Sequence, residues 1–145
     1  MKLNFSAAVA ASAVALLVVG TLSAATRTTT PGLSATPADD LRDGAAITVQ
    51  IRGFAPRAAV DVMQCGAATS ACAREFNGLV RVRTDIFGTA TATFRVQRTF
   101  VAVATEGVPS AALLDCRAGA CAVVAVDRSD ATAAATTAIA FHHAA

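Results

Sequence analysis

Thr89-Ala-Thr-Ala-Thr-Phe-Arg-Val-Gln97 is the stretch that decides the fold. Thr89, Thr91, Thr93, Arg95 and Gln97 alternate with Ala90, Ala92, Phe94 and Val96, so one face of the segment is polar and the other apolar. A period of two belongs to a β-strand, whose successive side chains point to opposite sides; an amphipathic helix repeats about every 3.6 residues. Upstream the same period recurs. Ile47, Val49 and Ile51 alternate with Thr48, Gln50 and Arg52; Val60, Val62 and Gln64 with Asp61 and Met63; Val80 and Val82 with Arg81 and Arg83. Each reads as a half-buried antiparallel strand. Downstream, Cys121 to Asp127 is apolar on both faces and reads as a strand covered on both sides. Thr137, Ile139 and Phe141 close the series, with further strands expected around Ser34 to Pro37 and near Leu113 to Cys116. Turn signals stand between them at Asp43-Gly44, Gly53-Phe-Ala-Pro56, Asp85-Ile-Phe-Gly88 and Ala118-Gly119. No segment after Ala25 carries a sustained helical stripe. Roughly seven strands in about 110 residues predict an all-β, immunoglobulin-like sandwich.

Composition sets the limits of that sandwich. The chain has 145 residues, enough for one domain. Its hydrophobic fraction of 54% includes 37 alanines, so the core must come from Val, Ile, Leu and the seven Phe. Lys2 is the one lysine, and the net charge of +2 comes with no basic stripe and no charged tail. That balance argues against an electrostatic nucleic-acid binder. With no Trp and no Tyr, a stacking site would have to use Phe.

The first residues read as an export signal. Lys2 precedes an apolar run from Ala7 to Val19, followed by Gly20-Thr-Leu-Ser-Ala-Ala25 with small residues at Ser23 and Ala25. These three parts describe a secretory signal peptide over residues 1–25. The run is shorter than the roughly 20 residues needed to span a bilayer, so no stable membrane insertion is expected after cleavage. The predicted protein is secreted and extracellular, with a flexible N-terminus at 26–33, the sandwich at 34–141 and a C-terminal tail at 142–145.

Export changes the meaning of the cysteines. Cys65 and Cys72 are seven apart, and Cys116 and Cys121 are five apart. In an oxidising compartment, an even count in near-neighbour pairs reads as two disulfides. Four cysteines allow three pairings; local pairing would close short loops on hairpin tips, each stabilising by on the order of 2 kcal/mol. Neither spacing is that of a zinc knuckle, and His142 and His143 lie at the extreme C-terminus, so no metal site is expected. Enzymatic function is not expected either. Nucleophilic hydrolysis needs Ser or Cys beside a general base, but the cysteines are committed and both histidines lie past the last strand. Asp61, Asp85, Asp115 and Asp127 each have a local role in a turn, at a strand end or beside a disulfide loop. Arg81, Arg83, Arg95 and Arg98 alternate on exposed strand faces, where charge is ordinarily solvated.

Leu41-Arg-Asp-Gly44 is followed by Ile47-Thr-Val-Gln-Ile-Arg-Gly-Phe54 and Val60-Asp-Val-Met-Gln-Cys65. After Cys72 come Phe76, Thr84-Asp-Ile-Phe-Gly88, Val96-Gln-Arg-Thr-Phe100, Asp115-Cys116, Cys121-Ala-Val123 and Ile139-Ala-Phe141. This ordered set, with both cysteine spacings, resembles the neocarzinostatin family of secreted apoproteins that carry enediyne chromophores. The resemblance runs from about Ser34 to Phe141. It implies a seven-stranded sandwich plus a small two-stranded ribbon, with disulfides Cys65–Cys72 and Cys116–Cys121. It also implies a carrier and not an enzyme. Members of the family hold a reactive, DNA-cleaving antibiotic chromophore in a cleft between sandwich and ribbon, protecting and delivering it, so DNA is reached only through the cargo. By position, the cleft would be lined by Met63, Cys65, Cys72, Phe76, Thr105, Val124, Val126 and Thr136. Phe76 matches a family aromatic that packs on the chromophore. No cofactor is implied beyond a non-covalently bound enediyne-type or other apolar chromophore, and the expected state is a monomer.

Three departures from the family pattern shape the expected cleft. Thr105 stands where a second aromatic faces the chromophore, and Val124 and Val126 stand where small residues form the floor. The loop Gly66-Ala-Ala-Thr-Ser-Ala71 is short and carries no tryptophan. Loss of one stacked ring removes on the order of 1 kcal/mol beyond area burial. The expectation is a narrower, more apolar cleft with one aromatic wall. Fold alone does not settle function. The leading reading is a carrier of an apolar small molecule; the alternative is a secreted structural or interaction module that keeps the family fold without cargo.

Overall fold

Every other side chain of Ala46–Arg52 is buried, and in its neighbour Ala90–Arg95 half-buried Ala90 and Ala92 and buried Phe94 alternate with exposed residues. The computed structural model describes residues 29–67, 71–74, 78–103 and 111–143. Predicted segment 1–25, Phe76 and Thr105 lie outside the described residues. Within them the chain forms ten strands: β1 (Gly32–Thr36), β2 (Ala46–Arg52), β3 (Ala59–Gly66), β4 (Cys72–Ala73), β5 (Leu79–Arg83), β6 (Ala90–Arg95), β7 (Thr99–Val103), β8 (Ala111–Asp115), β9 (Cys121–Asp127) and β10 (Ala134–Ile139). The named strand pairs are all antiparallel. A three-stranded sheet has the order β1-β2-β6, and a larger sheet runs β10-β9-β3-β4-β7-β8 with β5 also paired to β3. The fold is thus the all-β sandwich expected from the period-two patterns. Its ribbon corresponds to the β7–β8 hairpin, which joins the larger sheet through the two-residue β4.

The core lies between the sheets. Ile47, Val49, Ile51 and Phe94 of the smaller sheet share one buried cluster with Val60, Val62, Val123 and Ala125 of the larger. Register explains the match, because Ile47 stands opposite Phe94 in the β2–β6 pair and Val62 opposite Ala125 in the β3–β9 pair. Burying each of the larger of these side chains stabilises by about 1.5–3 kcal/mol.

Three features differ from the sequence expectations. The period-two pattern does not locate β7, because Val101 on its outer face is apolar and exposed, which erases the polar–apolar alternation around buried Phe100 and Ala102. Within the segment expected to be loose at 26–33, Gly32 and Leu33 pair with Arg52 and Ile51 in the β1–β2 ladder. At the C-terminus, Phe141 bridges to Leu41, and the His142 N–H donates to the Leu41 carbonyl (2.8 Å). The His142 ring also contacts the Asp40 carboxylate, so the tail at 142–145 begins as a docked segment.

The turn from Asp85 to Gly88 shows how a short motif fixes a sheet end. Asp85 Oδ1 accepts the Phe87 and Thr89 N–H groups at 2.8 and 2.9 Å, and Oδ2 accepts the Thr89 hydroxyl at 2.7 Å. These bonds, led by the Thr89 hydroxyl, hold the Asp85 carboxyl below its ordinary value. Gly88 has φ of 75°, and a Cβ there would stand 2.0 Å from the Phe54 carbonyl oxygen, so only glycine fits.

Candidate ligand-binding cleft

Val60, Val62 and Gln64 of β3 fill the core, so Asp61, Met63 and Cys65 must point to the opposite face of the sheet. Register then assembles their neighbours. Asp61 stands opposite Val126, Met63 opposite Val124, and Val124 opposite Thr136 on β10. Cys65 faces both Ala122 and Cys72, to which it is disulfide-bonded. These side chains line one cleft of about 480 Å³. Gly66 and Ala67 lie towards one end of β3 and Asp127, Arg128 and Ala131 towards the other, and Arg74, the residue after β4, also lines the cleft. Six residues singled out from the sequence, Met63, Cys65, Cys72, Val124, Val126 and Thr136, therefore meet in one place. The other two, Phe76 and Thr105, lie outside the described residues.

Residues 33–141 match the Neocarzinostatin family. The chain belongs to the neocarzinostatin family. Its fold is similar to the solved structure of macromomycin, with a TM-score of 0.66 and 29% identity over 77% of this chain and 98% of that one. It is also similar to the solution structure of apokedarcidin, with a TM-score of 0.57 and 26% identity over 77% and 98% of the two chains. No curated protein gives a significant match.

In this member of the neocarzinostatin family the cleft has a buried support behind it. Gln64 is fully buried, donates through Nε2 to the Gln97 carbonyl (2.6 Å) and accepts the Gln97 N–H through Oε1 (2.9 Å). The same Nε2 lies 3.2 Å from Cys116 Sγ, whose disulfide to Cys121 caps the start of β9. Gln64 thus ties the strand under the cleft to the β6–β7 connection and to the second disulfide. In the sequence Gln64 shares its phase with Val60 and Val62; the bidentate partner at Gln97, 33 residues away, is what makes its burial affordable.

Charge gathers at the rim. Asp61 Oδ1 lies 3.3 Å from Arg81 Nε and Oδ2 lies 3.8 Å from Arg128 Nε. The Arg81 contact is within ion-pair range yet misaligned for a hydrogen bond, and Asp61 Oδ1 is buried without one. Asp127 is also buried, and its Oδ1 accepts the Ser129 hydroxyl and N–H at 2.8 Å each. These bonds, the hydroxyl first, hold its carboxyl below the ordinary value against the opposing effect of burial. The lining residues missed by sequence reasoning are therefore Asp61, Arg74, Asp127, Arg128 and the small residues Gly66, Ala67, Ala122 and Ala131. For Asp61 a signal existed, since it shares the phase of Met63 and Cys65 along β3. Arg74 and Arg128 lie outside any strand and carry no periodic signal.

Three further charged side chains bond to backbone groups away from the cleft. Asp115 Oδ1 accepts the Arg117 N–H (2.9 Å), Arg83 donates to the Arg57 carbonyl (3.0 Å) and Arg95 to the Gly44 carbonyl (3.0 Å). Among the described residues, no group of three His, Cys, Asp or Glu is placed to hold a metal ion.

Proposed function

We propose that this protein is a secreted, non-enzymatic carrier that holds an apolar small molecule, an enediyne-type antibiotic chromophore or one of similar character, in the cleft above β3 and β9. The observation that carries this reading is the convergence of Met63, Cys65, Cys72, Val124, Val126 and Thr136 on a single concavity of about 480 Å³. Small-molecule sites are clefts of roughly 300–1,000 Å³ with mostly apolar walls and a few polar groups. Val124 and Val126 supply the floor, and Met63 and the Cys65–Cys72 bridge supply polarisable contacts. By the family resemblance, Phe76 is the residue expected to stack on the cargo. The protein performs no chemistry on the cargo. It excludes water from a reactive molecule, acts as a monomer, and brings DNA within reach only by releasing what it holds.

Val124 and Val126 remain half-buried, so the two valines narrow the cleft without closing it. That favours a carrier of a smaller, flat cargo over a structural module that has lost binding. Native mass spectrometry of the protein taken from its source's culture medium tests the reading. The expected result is a mature chain starting near Thr26 with an added mass that is lost on denaturation. The reading falls if no added mass is present and flat aromatic probes bind no tighter than about 1 mM.

A further inference from the structure

The rim of the cleft is not electrically neutral in what it still offers a ligand. Two carboxylates stand there, and both are spent. Asp127 is engaged by Ser129, and Asp61 sits between Arg81 and Arg128. The one acceptor without a hydrogen bond, Asp61 Oδ1, is buried and out of a ligand's reach. The arginines are the reverse case. A guanidinium has five N–H donors, and Arg128 offers Asp61 only a 3.8 Å approach from Nε with its side chain 52% exposed. Arg74, which follows β4, is exposed, and no hydrogen bond or ion pair engages its side chain among the described residues. Among the described residues, Arg74 and Arg128 line the cleft with the committed Asp61 and Asp127, and Arg81 stands beside Asp61.

We infer that the cleft selects an apolar ligand bearing an anionic oxygen group, a carboxylate or equivalent, which Arg74 and Arg128 receive at the rim; this rests on the carrier reading. A charge-assisted bond from a guanidinium to a carboxylate is about twice as strong as a neutral one and is often bidentate. Walls of low polarity, here Val124, Val126, Met63 and the disulfide, strengthen the field that a cation at the rim exerts inside. The apolar body of the ligand then lies on the floor while its acid group faces the rim. Asp61 is a positioning residue: by holding Arg81 and Arg128 it sets how much positive charge reaches the ligand.

Three fluorescent probes with one ring system separate this from other readings: 9-anthracenecarboxylate, 9-methylanthracene and 9-anthracenylmethylammonium, titrated against the full secreted protein. The carboxylate should bind about tenfold more tightly than the neutral probe, and the advantage should shrink at about 0.5 M salt. Arg74→Gln and Arg128→Gln should each lower carboxylate affinity several-fold, and by more than they lower affinity for the neutral probe, with the melting temperature unchanged. Asp61→Asn should raise carboxylate affinity, a change of sign that a merely structural role for Asp61 would not produce. Equal binding of all three probes, or tighter binding of the ammonium, overturns the anion preference and leaves the carrier reading standing. Failure of every probe to bind overturns both.

Discussion

β6 and β9 are strands of similar length that lean on the same core, yet the sequence announces them differently, one by alternation and the other by an unbroken apolar run. In β6 the threonines at 91 and 93 and Arg95 face water, while Phe94 is 1% exposed. In β9 Val123 and Ala125 face the core, while Val124 and Val126 face the cleft and stay half-buried. The first strand alternates because one of its faces is wet. The second cannot, because both faces meet apolar surroundings. In this sandwich, the surface that faces the cleft is written as a loss of alternation.

The largest test of that contrast is Phe94→Ala. Removing a ring buried between the sheets should cost about 3–5 kcal/mol in chemical denaturation. Gln64→Leu comes next. It keeps the volume but strands the Gln97 N–H and carbonyl, and should cost about 1–3 kcal/mol. Acid stability gives a smaller effect. Asp85 and Asp127 have carboxyl values below those of the unfolded chain, so their stabilisation is complete above the unfolded range near pH 4 and is lost as pH falls through the lower folded values. Melting temperature should therefore decline below about pH 4, and Asp127→Asn should flatten that decline. The smallest effect on stability should come from Val126→Ser, at about 1 kcal/mol or less. The same change should deepen the floor and improve binding of bulkier flat probes. If it destabilises as much as Phe94→Ala, the face above β9 is core and the contrast collapses.

Much of the fold was legible because its strands are short and its turns are chemically marked. Asp43-Gly44 and Asp85 to Gly88 carry the residues that their turns need, and β2, β3 and β6 carry clean phase. β7 was hidden by the exposed Val101, and β4 by having only two residues, fixed by the Cys65–Cys72 pairing and not by any pattern of its own. The cleft was half legible. Its floor follows from resemblance and from strand phase, since Met63 and Cys65 lie two apart. Its charged rim was not, because Arg74 and Arg128 reach the cleft from connections whose course depends on tertiary packing. The burial of Gln64 was equally hidden, since a glutamine satisfied across 33 residues looks no different in sequence from one in water.

The turn between β5 and β6 has a practical corollary for engineering. Its shape is maintained by the Asp85 carboxylate, the Thr89 hydroxyl and the positive φ of Gly88. Ile86 and Phe87, at 59% and 79% exposure, lend their side chains to none of those bonds. They are the two letters that can be rewritten while the frame around them stays fixed. A short recognition peptide or a fluorophore handle grafted between Asp85 and Gly88 would be presented on a rigid stem.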